Sequence, residues 1–292
     1  MDNSPPLIVI LGPTASGKSS LGIRLAQRVS GEIICADSRT VYKGLDIGTA
    51  KPTAQDQLLV PHHLLDVVAP DEQFTVAVFQ KRAQELIKQI AARGSTPILV
   101  GGTGLYIDSL LFNFTFAGRA DISLRQRLES MSIDELQTRI LELDIPIPRN
   151  EDNPRHLIRA IERAGTPSHK HDLRPNTFIF GVTVDREKLK ERIIHRVQQM
   201  MDAGLELEVF NLSERFSWDA PGMLSIGYRE WRAYFMGQAT KEDVQILIQN
   251  ATWQYAKRQI TWFKRNNHIT WLDDPEQIID RSLMVLNKNP AS

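Results

Sequence analysis

Residues 12–19 combine a glycine-rich turn, a lysine and a hydroxyl side chain in the pattern G-x-x-x-x-G-K-[ST]. The apolar run over residues 7–11 predicts a buried strand before this pattern, and apolar residues at helical spacing over 20–29 predict a helix after it. A strand, such a turn and a helix are typical of a loop whose backbone N–H groups hold phosphate. The predicted phosphate-binding residues are Gly12, Pro13, Thr14, Ala15, Ser16, Gly17, Lys18 and Ser19.

Two side chains of this loop are suited to act directly on a phosphorylated ligand. Lys18 supplies a positive charge for the phosphate oxygens, and the Ser19 hydroxyl is a ligand that suits Mg²⁺. The sequence therefore predicts Mg²⁺ as a cofactor, with Ser19 as its protein ligand. The loop alone leaves open which phosphate groups are bound and which reaction follows.

An aspartate follows the second predicted strand, which covers residues 32–36. Ligand crevices form at the carboxyl ends of parallel strands, so we expect Asp37 to face the same crevice as Lys18. Three roles remain open for Asp37: a carboxylate that binds magnesium, a general base, and a cap of the next segment. Magnesium-binding carboxylates usually end a later strand, and the strand predicted over 97–101 ends in glycines instead, which favours an action of Asp37 on substrate.

A second glycine-rich segment, residues 101–106, ends that later strand. Its glycines allow a ligand to approach the backbone, and Thr103 supplies a hydroxyl group. Thr103 is equally suited to cap the helix that follows. His62 and His63 are adjacent on a strand, so they point to opposite faces, which argues against a shared metal ion.

Arg192 and Arg196 share one face of a helix predicted over residues 186–203. This helix follows a strand that should rejoin the sheet near the phosphate loop. Two interpretations remain open: the arginines neutralise the phosphates of a substrate, or they form a solvated basic face.

Two further basic clusters suit RNA, because arginines bind phosphates and aromatic rings stack on unpaired bases. The first is a ladder at a spacing of four residues, made of Arg155, Arg159 and Arg163. The second interleaves basic with aromatic residues: Lys257, Arg258, Lys264 and Arg265 with Trp253, Tyr255, Trp262 and Phe263. Taken singly, the aromatic residues fit packing between C-terminal helices better; the two clusters together favour RNA.

Length and composition predict one or two globular domains with an ample core. The 35 basic residues balance the 35 acidic ones, so a nucleic-acid surface must be a local patch. The one cysteine, Cys35, excludes disulfide frameworks, and its apolar neighbours predict a buried thiol. The N-terminus lacks the features of a signal peptide and no apolar run reaches membrane-spanning length. We therefore expect a cytoplasmic protein without a membrane partner; we also expect a monomer.

The alternation of strands and helices predicts an α/β fold, a parallel sheet with helices on both faces. The first strands are predicted over 7–11, 32–36, 63–68 and 97–101, with a helix over 75–92. Three short helices then follow without a strand, over 122–128, 133–143 and 154–164. The sheet pattern returns once, over 177–184. We divide the chain into a first part of the core (1–115), a helical insertion (116–174), and a second part of the core with C-terminal helices (175–292).

Six segments of this chain occur in the same order in one known family. They are residues 12–19, D-S-R (37–39), D-I-G-T-A-K-P (46–52), G-G-T-G-L-Y (101–106), I-G-Y (226–228) and A-K-R-Q-I-T-W-F (256–263). From about residue 7 to residue 271 the chain resembles the tRNA dimethylallyltransferases, the bacterial tRNA isopentenyltransferase family. The phosphate loop is unspecific, whereas residues 46–52 and 256–259 are highly specific. The resemblance implies a P-loop kinase-like core and an insertion that binds tRNA.

The resemblance also implies individual roles. Asp37 would be the general base, and Lys18 and Arg196 the catalytic cations that hold a diphosphate. The implied tRNA-binding residues are Asp37, Ser38, Arg39, Thr40, Thr103, Arg125, Arg155, Arg159, Gly227, Tyr228, Arg229, Lys257, Arg258, Gln259 and Trp262. Many members carry glutamine at the position of Thr40, so this chain lacks an amide that reads the target base or its neighbour.

The implied function is an enzyme that transfers a dimethylallyl group from dimethylallyl diphosphate to tRNA and releases diphosphate. The acceptor would be the exocyclic amine of the adenosine that lies 3′-adjacent to the anticodon, and the partner the tRNA anticodon stem-loop. Three alternatives remain open: a P-loop kinase of a nucleotide or small molecule, a prenyltransferase for free adenine nucleotides, and a P-loop RNA-binding protein without catalysis. The C-terminal basic and aromatic cluster argues against the first, and the arginine ladder argues mildly against the second.

Overall fold

The structure is a computed structural model that describes residues 4–116, 122–162 and 170–288. The chain forms two compact units, one over Phe112–Asp172 and the other over the sequence on both sides of it. We call these the helical unit and the α/β core. The predicted insertion, 116–174, overlaps the helical unit almost completely.

The α/β core is built on strands whose side chains are almost all buried. Runs of valine, isoleucine and leucine without polar alternation are typical of parallel strands covered on both faces. The strands are β1 (Leu7–Leu11), β2 (Gly31–Ala36), β3 (His62–His63), β4 (Thr96–Gly101), β5 (Thr177–Val182) and β6 (Thr270–Leu272).

In the described part of the chain, these strands form one parallel sheet in the order β3-β2-β4-β1-β5-β6. The register brings the strand ends level, since Leu11 pairs with both Gly101 and Gly181, and Ala36 also pairs with Gly101. The segments that follow β1, β2 and β4 therefore begin at one edge of the sheet. This edge is the position at which parallel sheets bind ligands.

Helices cover both faces of the sheet. The helices of the α/β core are α1 (Lys18–Arg28), α2 (Ala54–Leu59), α3 (Val76–Ala92), α4 (Gly104–Leu111), α8 (Arg186–Asp202), α9 (Leu205–Ser213), α10 (Arg232–Phe235), α11 (Lys241–Phe263) and α12 (Pro275–Lys288). A short 3₁₀ helix over Arg229–Trp231 precedes α10. On one face, α1 and α12 pack together with the sheet through buried residues such as Leu25 and Ile278. The helices α3 and α4 pack on each other around stacked rings of Phe79 and Tyr106.

The helical unit has its own small core. Its helices are α5 (Ile122–Glu129), α6 (Ile133–Glu142) and α7 (Pro154–Glu162). Leu128, Leu136, Ile140, Leu157 and Ile161 are buried against one another. The Ser132 side chain and Glu135 form a capping box that begins α6.

The predicted fold class, a parallel α/β sheet with helices, is confirmed, but two strands differ from the prediction. The strand expected over 63–68 is limited to His62–His63, because Leu64 and Asp66 adopt positive φ angles and turn the chain. The sheet also gains β6, in a region predicted to be mainly helical. Its three residues are too short a run to stand out, and their pairing with β5 defines them.

Candidate active site

The phosphate loop follows the central strand β1 and ends at the first residue of α1, Lys18. Gly17 has a φ of 90°, a conformation that other residues adopt only with strain. Ala15 also lies in the left-handed region, with a φ of 61°. The Ser16 N–H donates a 3.3 Å hydrogen bond to the Pro13 carbonyl, which closes the turn. The loop therefore wraps around the N-terminal end of α1, as predicted.

Lys18 reaches back over the loop, where its Nζ donates a 3.0 Å hydrogen bond to the Pro13 carbonyl. Burial and the neighbouring Arg196 guanidinium lower the pKa of Lys18 from 10.5 to about 8, against the opposing effect of the Asp37 carboxylate. A phosphate anion bound beside Lys18 would therefore stabilise the charged form of its side chain.

The helix α8 contributes two arginines to the same place. Arg192 donates a 3.4 Å hydrogen bond to the Ser16 carbonyl, and Arg196 donates one of 3.4 Å to the Thr49 carbonyl. Burial lowers the pKa of Arg196, and the Asp37 carboxylate raises it. The spacing of four residues thus orients both side chains towards the loop, which favours the phosphate interpretation over a solvated basic face.

Asp37 lies directly after β2. Its Oδ1 accepts a 2.7 Å hydrogen bond from the Arg39 N–H and so caps the following turn, while the other oxygen has no hydrogen-bond partner in the part of the chain that the structure describes. The neighbouring Ser38 N–H donates a 3.0 Å hydrogen bond to the Thr103 Oγ1. The Thr103 hydroxyl therefore ties the turn after β2 to the segment after β4. The local geometry supports the capping role of Asp37 and leaves a substrate role open to its second oxygen.

Two cavities meet at Asp37. The first, which we call the inner chamber, has a volume of about 80 Å³. Its lining combines the polar residues Lys18, Ser19 and Arg196 with the apolar residues Ile33, Cys35, Ala50, Pro52 and Val100. Burial raises the pKa of the Cys35 thiol and keeps it protonated, which agrees with the predicted structural role.

The second cavity, which we call the outer vestibule, has a volume of about 280 Å³. It shares four residues with the inner chamber: Thr14, Asp37, Thr49 and Arg196. Its remaining walls include three basic residues, Arg39, Arg229 and Arg258, together with Tyr255. Burial and the Asp37 carboxylate raise the pKa of Tyr255 to about 12, so its hydroxyl keeps its proton.

The helix α11 brings several predicted tRNA-binding residues to the site in different ways. Arg258 lies 5.9 Å from the Tyr255 ring and lines the outer vestibule, whereas Lys257 is exposed near the Trp253 ring. The Trp262 Nε1 donates a 2.9 Å hydrogen bond to Asp108. Gln259 is 5 % exposed and faces the phosphate loop.

The predicted residues Gly227 and Tyr228 lie beside the loop that follows Leu45. Tyr228 is completely buried, and its hydroxyl bonds with Glu208 and the Gly48 N–H. Gly227 has a φ of 95° and donates to Glu230. The Tyr228 ring thus supports this loop from inside the core, whereas the neighbouring Arg229 lines the outer vestibule.

Thr40 is 6 % exposed and lines the inner chamber. Its Oγ1 has no hydrogen-bond partner within the described residues. A buried hydroxyl in this state is available to a substrate group.

The remaining predicted tRNA-binding residues lie in the helical unit. Arg125 pairs with Glu129 and Glu162, and Arg159 also pairs with Glu162. Arg155 is exposed at the start of α7. Arg163, the last step of the predicted ladder, lies outside the described residues.

Sequence reasoning did not select Thr49 or Glu208. Thr49 lines both cavities, and Glu208 accepts hydrogen bonds from three consecutive backbone N–H groups, those of Asp46, Ile47 and Gly48. The motif over residues 46–52 could have indicated Thr49 from the sequence. Nothing in the local sequence around Glu208 distinguishes it from a surface carboxylate.

A metal ion at the site would need ligands from the substrate as well as from the protein. Within the described residues, no three His, Cys, Asp or Glu side chains are grouped to hold a metal. The Ser19 hydroxyl and the Asp37 carboxylate both line the inner chamber, and hard oxygen donors of this kind fit Mg²⁺. His62 and His63 have separate partners, the Val60 carbonyl and Glu32. Among the described helices, none combines the length and apolar character of a membrane span.

The fold and the site define a P-loop α/β protein whose cationic phosphate loop and carboxylate share one cavity. A family model described as IPP transferase matches residues 40–266. The chain is 44 % identical to a tRNA dimethylallyltransferase of Anoxybacillus flavithermus, over 94 % of this chain and 92 % of the relative. It is 40 % identical to that of Bacillus subtilis, over 92 % and 90 %.

Solved structures agree with these relatives. A full-length tRNA isopentenylpyrophosphate transferase from Bacillus halodurans superimposes with a TM-score of 0.74, at 37 % identity over 97 % of this chain and 96 % of the other. A eukaryotic dimethylallyltransferase acting on tRNA superimposes with a TM-score of 0.84, at 25 % identity over 98 % and 81 %. The chain belongs to the IPP transferase family. The predicted family and the prediction of a prenyl-transferring enzyme are thereby confirmed.

Proposed function

We propose that this enzyme transfers the dimethylallyl group of dimethylallyl diphosphate to the exocyclic amine of the adenosine 3′-adjacent to the anticodon in tRNA, with release of diphosphate. The observation that carries this proposal is the pair of cavities that meet at Asp37, in a chain of the IPP transferase family. One cavity is lined by cationic and apolar residues, and the other is lined by arginines and a tyrosine.

The inner chamber suits the donor. Its cationic residues Lys18 and Arg196 match a diphosphate, and its apolar residues, such as Val100, match a short hydrocarbon chain. An allylic C–O bond breaks readily because the resulting carbocation is delocalised. Catalysis therefore depends mainly on groups that stabilise the negative charge gained by the departing diphosphate. Lys18, Arg196 and the N–H groups at the start of α1 are the groups that supply this stabilisation.

The Ser19 hydroxyl, together with oxygens of the diphosphate, would hold Mg²⁺ in this chamber. When bound, the ion would add positive charge at the leaving group. The protein residues keep their own roles beside it: Lys18 and Arg196 bind the diphosphate, and the phosphate loop orients it.

The outer vestibule suits the acceptor. A base within a stacked anticodon loop does not reach a cavity, so the target adenosine has to be flipped out of the stack. Arg39, Arg229 and Arg258 are placed to bind the phosphates around the flipped nucleotide, and Tyr255 offers an aromatic ring for the base.

Asp37 lies where the two substrates would meet. As the amine nitrogen bonds to the allylic carbon, the electron pair of the breaking C–O bond leaves with the diphosphate. The amine becomes more acidic during this step, and the free oxygen of Asp37 is available to take its proton. The Thr103 hydroxyl and the Arg39 N–H hold the Asp37 turn in position.

The helical unit would bind the anticodon stem-loop. Among the described residues, Arg155 has none of the ion pairs that engage Arg125 and Arg159, and it is therefore the best placed of the three for a phosphate contact. We also propose that the enzyme acts as a monomer in the cytoplasm, where its tRNA substrate is found.

A transfer assay tests this function. Purified enzyme, Mg²⁺ and radiolabelled dimethylallyl diphosphate are incubated with unmodified tRNA, with free AMP, or with ATP and a small acceptor. Label should enter tRNA and be lost when the target adenosine is replaced. Label in AMP would make the enzyme a free-nucleotide prenyltransferase, and consumption of ATP without prenyl transfer would make it a kinase. tRNA binding without any transfer would indicate an RNA-binding protein.

A further inference from the structure

The buried amide of Gln259 joins two loops that are distant in sequence. Its Oε1 accepts a 2.8 Å hydrogen bond from the Thr14 N–H in the phosphate loop. Its Nε2 donates a 2.8 Å hydrogen bond to the Gly102 carbonyl, in the segment after β4. A single side chain of α11 therefore connects the phosphate loop to the segment that holds the Asp37 turn through Thr103.

The phosphate loop needs such an external support. Ala15 lies in the left-handed region, a conformation that is strained for a residue with a side chain. Strained conformations of this kind persist where contacts with the surrounding structure hold the backbone in place. The bond from Gln259 holds the residue before Ala15, and the Ser16 N–H bond to Pro13 holds the residue after it.

The Gln259 amide lies close against the backbone at Gly102. A side chain at Gly102 would collide with the Nε2 of Gln259, so a glycine is required for the amide to approach the backbone this closely. The polar atoms of Gln259 are engaged on both sides, and only 5 % of the residue is exposed. Little of this side chain remains to read an RNA base.

Residues of α11 next to Gln259 and one turn before it lie on the proposed RNA side of the site. Tyr255 and Arg258 line the outer vestibule, while Gln259 lines the inner chamber. The helix α11 thus carries residues for the acceptor and a residue for the phosphate loop, and the Tyr255 side chain also forms a hydrogen bond with Gln259.

We propose that Gln259 is a positioning residue that holds the phosphate loop in its diphosphate-binding conformation, rather than a contact to tRNA. This inference rests on the proposed function of the loop. It predicts that loss of the amide weakens diphosphate binding and slows transfer, while the affinity for tRNA stays nearly constant.

The test uses inorganic diphosphate with Mg²⁺ as the probe, titrated into the free enzyme by calorimetry. Gln259→Met keeps the length of the side chain and removes both hydrogen bonds. We expect about a tenfold weaker affinity for diphosphate and a change in tRNA affinity of about twofold or less. The KM for dimethylallyl diphosphate should rise and the single-turnover rate should fall.

Two matched variants on α11 serve as controls. Gln245→Met makes the same substitution at an exposed hydrogen bond with Gln198, and it should leave diphosphate affinity unchanged. Arg258→Met should weaken tRNA binding and leave diphosphate binding near its original value. If Gln259→Met instead weakens tRNA binding and spares diphosphate, or if Gln245→Met lowers diphosphate affinity equally, the positioning role is overturned.

A measurement on the unchanged enzyme covers the case in which Gln259→Met does not fold. The Thr14 amide should be protected from hydrogen exchange in the free enzyme, and rapid exchange of this amide would overturn the proposal. Failure of the unchanged enzyme to bind diphosphate would contradict the proposed function itself, which distinguishes that failure from a failure of Gln259 alone.

Discussion

The Tyr228 hydroxyl donates a 2.6 Å hydrogen bond to Oε1 of Glu208, which joins the turn before the 3₁₀ helix to α9. The same carboxylate accepts hydrogen bonds from the N–H groups of Asp46, Ile47 and Gly48. Thr49, the next residue, lines both cavities and accepts a hydrogen bond from Arg196. Glu208 therefore holds the chain that forms one wall of the site.

The first prediction concerns this carboxylate. Glu208→Gln replaces one acceptor oxygen by an amide that cannot accept from the backbone, and it should lower the free energy of unfolding by about 2 kcal/mol. Glu206→Gln is the control, because Glu206 is a partly exposed carboxylate of the same helix that pairs with Lys241 and accepts a hydrogen bond from the Tyr234 hydroxyl, and its replacement should cost about 0.5 kcal/mol or less. Chemical denaturation measures the free energy of unfolding of both variants. Equal decreases would contradict the conclusion that Glu208 stabilises the backbone of residues 46–48.

Asp37→Asn tests the general base. Asparagine retains an oxygen that accepts from the Arg39 N–H, so the turn should keep its shape while the carboxylate is lost. We expect the single-turnover rate of prenyl transfer to fall by about 10²–10⁴-fold, with the affinity for both substrates changed little. A rate near that of the unchanged enzyme would exclude Asp37 as the base.

The pH dependence of diphosphate binding tests Lys18. The folded pKa of about 8 lies below the ordinary value of 10.5, so Lys18 loses its charge as the pH rises through about 8. Diphosphate affinity in the free enzyme should therefore decrease above this pH, and binding should become coupled to proton uptake. Lys18→Met should remove this step from the titration. A step that persists in that variant belongs to another group.

The same pKa has a consequence for stability. Because the folded pKa is lowered, the unfolded chain binds more protons at Lys18 between about pH 8 and pH 10.5. The contribution of Lys18 to the free energy of unfolding should therefore rise with pH in this window. The difference between the unchanged enzyme and Lys18→Met, measured by denaturation across this range, isolates the effect.

Arg155→Ala tests the proposed role of the helical unit in tRNA binding. Loss of one phosphate contact should weaken binding and reduce the salt dependence, the slope of log K against log salt, by about 0.7–0.9. Arg139→Ala is the matched control on α6, since Arg139 pairs with Glu142 at the surface. Filter binding over a range of salt concentrations measures both slopes. An unchanged slope for Arg155→Ala would assign it a structural role.

Much of the core followed from local sequence. The helix predicted over 75–92 is observed at Val76–Ala92, and the predicted strand over 7–11 coincides with β1. In a long segment with a regular apolar pattern, the spacing of the apolar residues itself favours a helix or a strand. The choice between the two therefore depends little on the rest of the fold. The short strands β3 and β6 depend on pairing with neighbours, which local patterns do not contain.

The residues of the site also fall into those that local sequence indicates and those that only the tertiary structure places. The sequence by itself selected the phosphate loop, Lys18, Asp37 and the pair Arg192 and Arg196 as candidates, because glycine geometry, helical spacing and strand ends are local properties. The tertiary structure alone decided that Tyr228 lies inside the core and that Glu208 holds residues 46–48. It also decided that Gln259 faces the phosphate loop, since a hydrogen bond between residues 245 positions apart depends on how α11 packs.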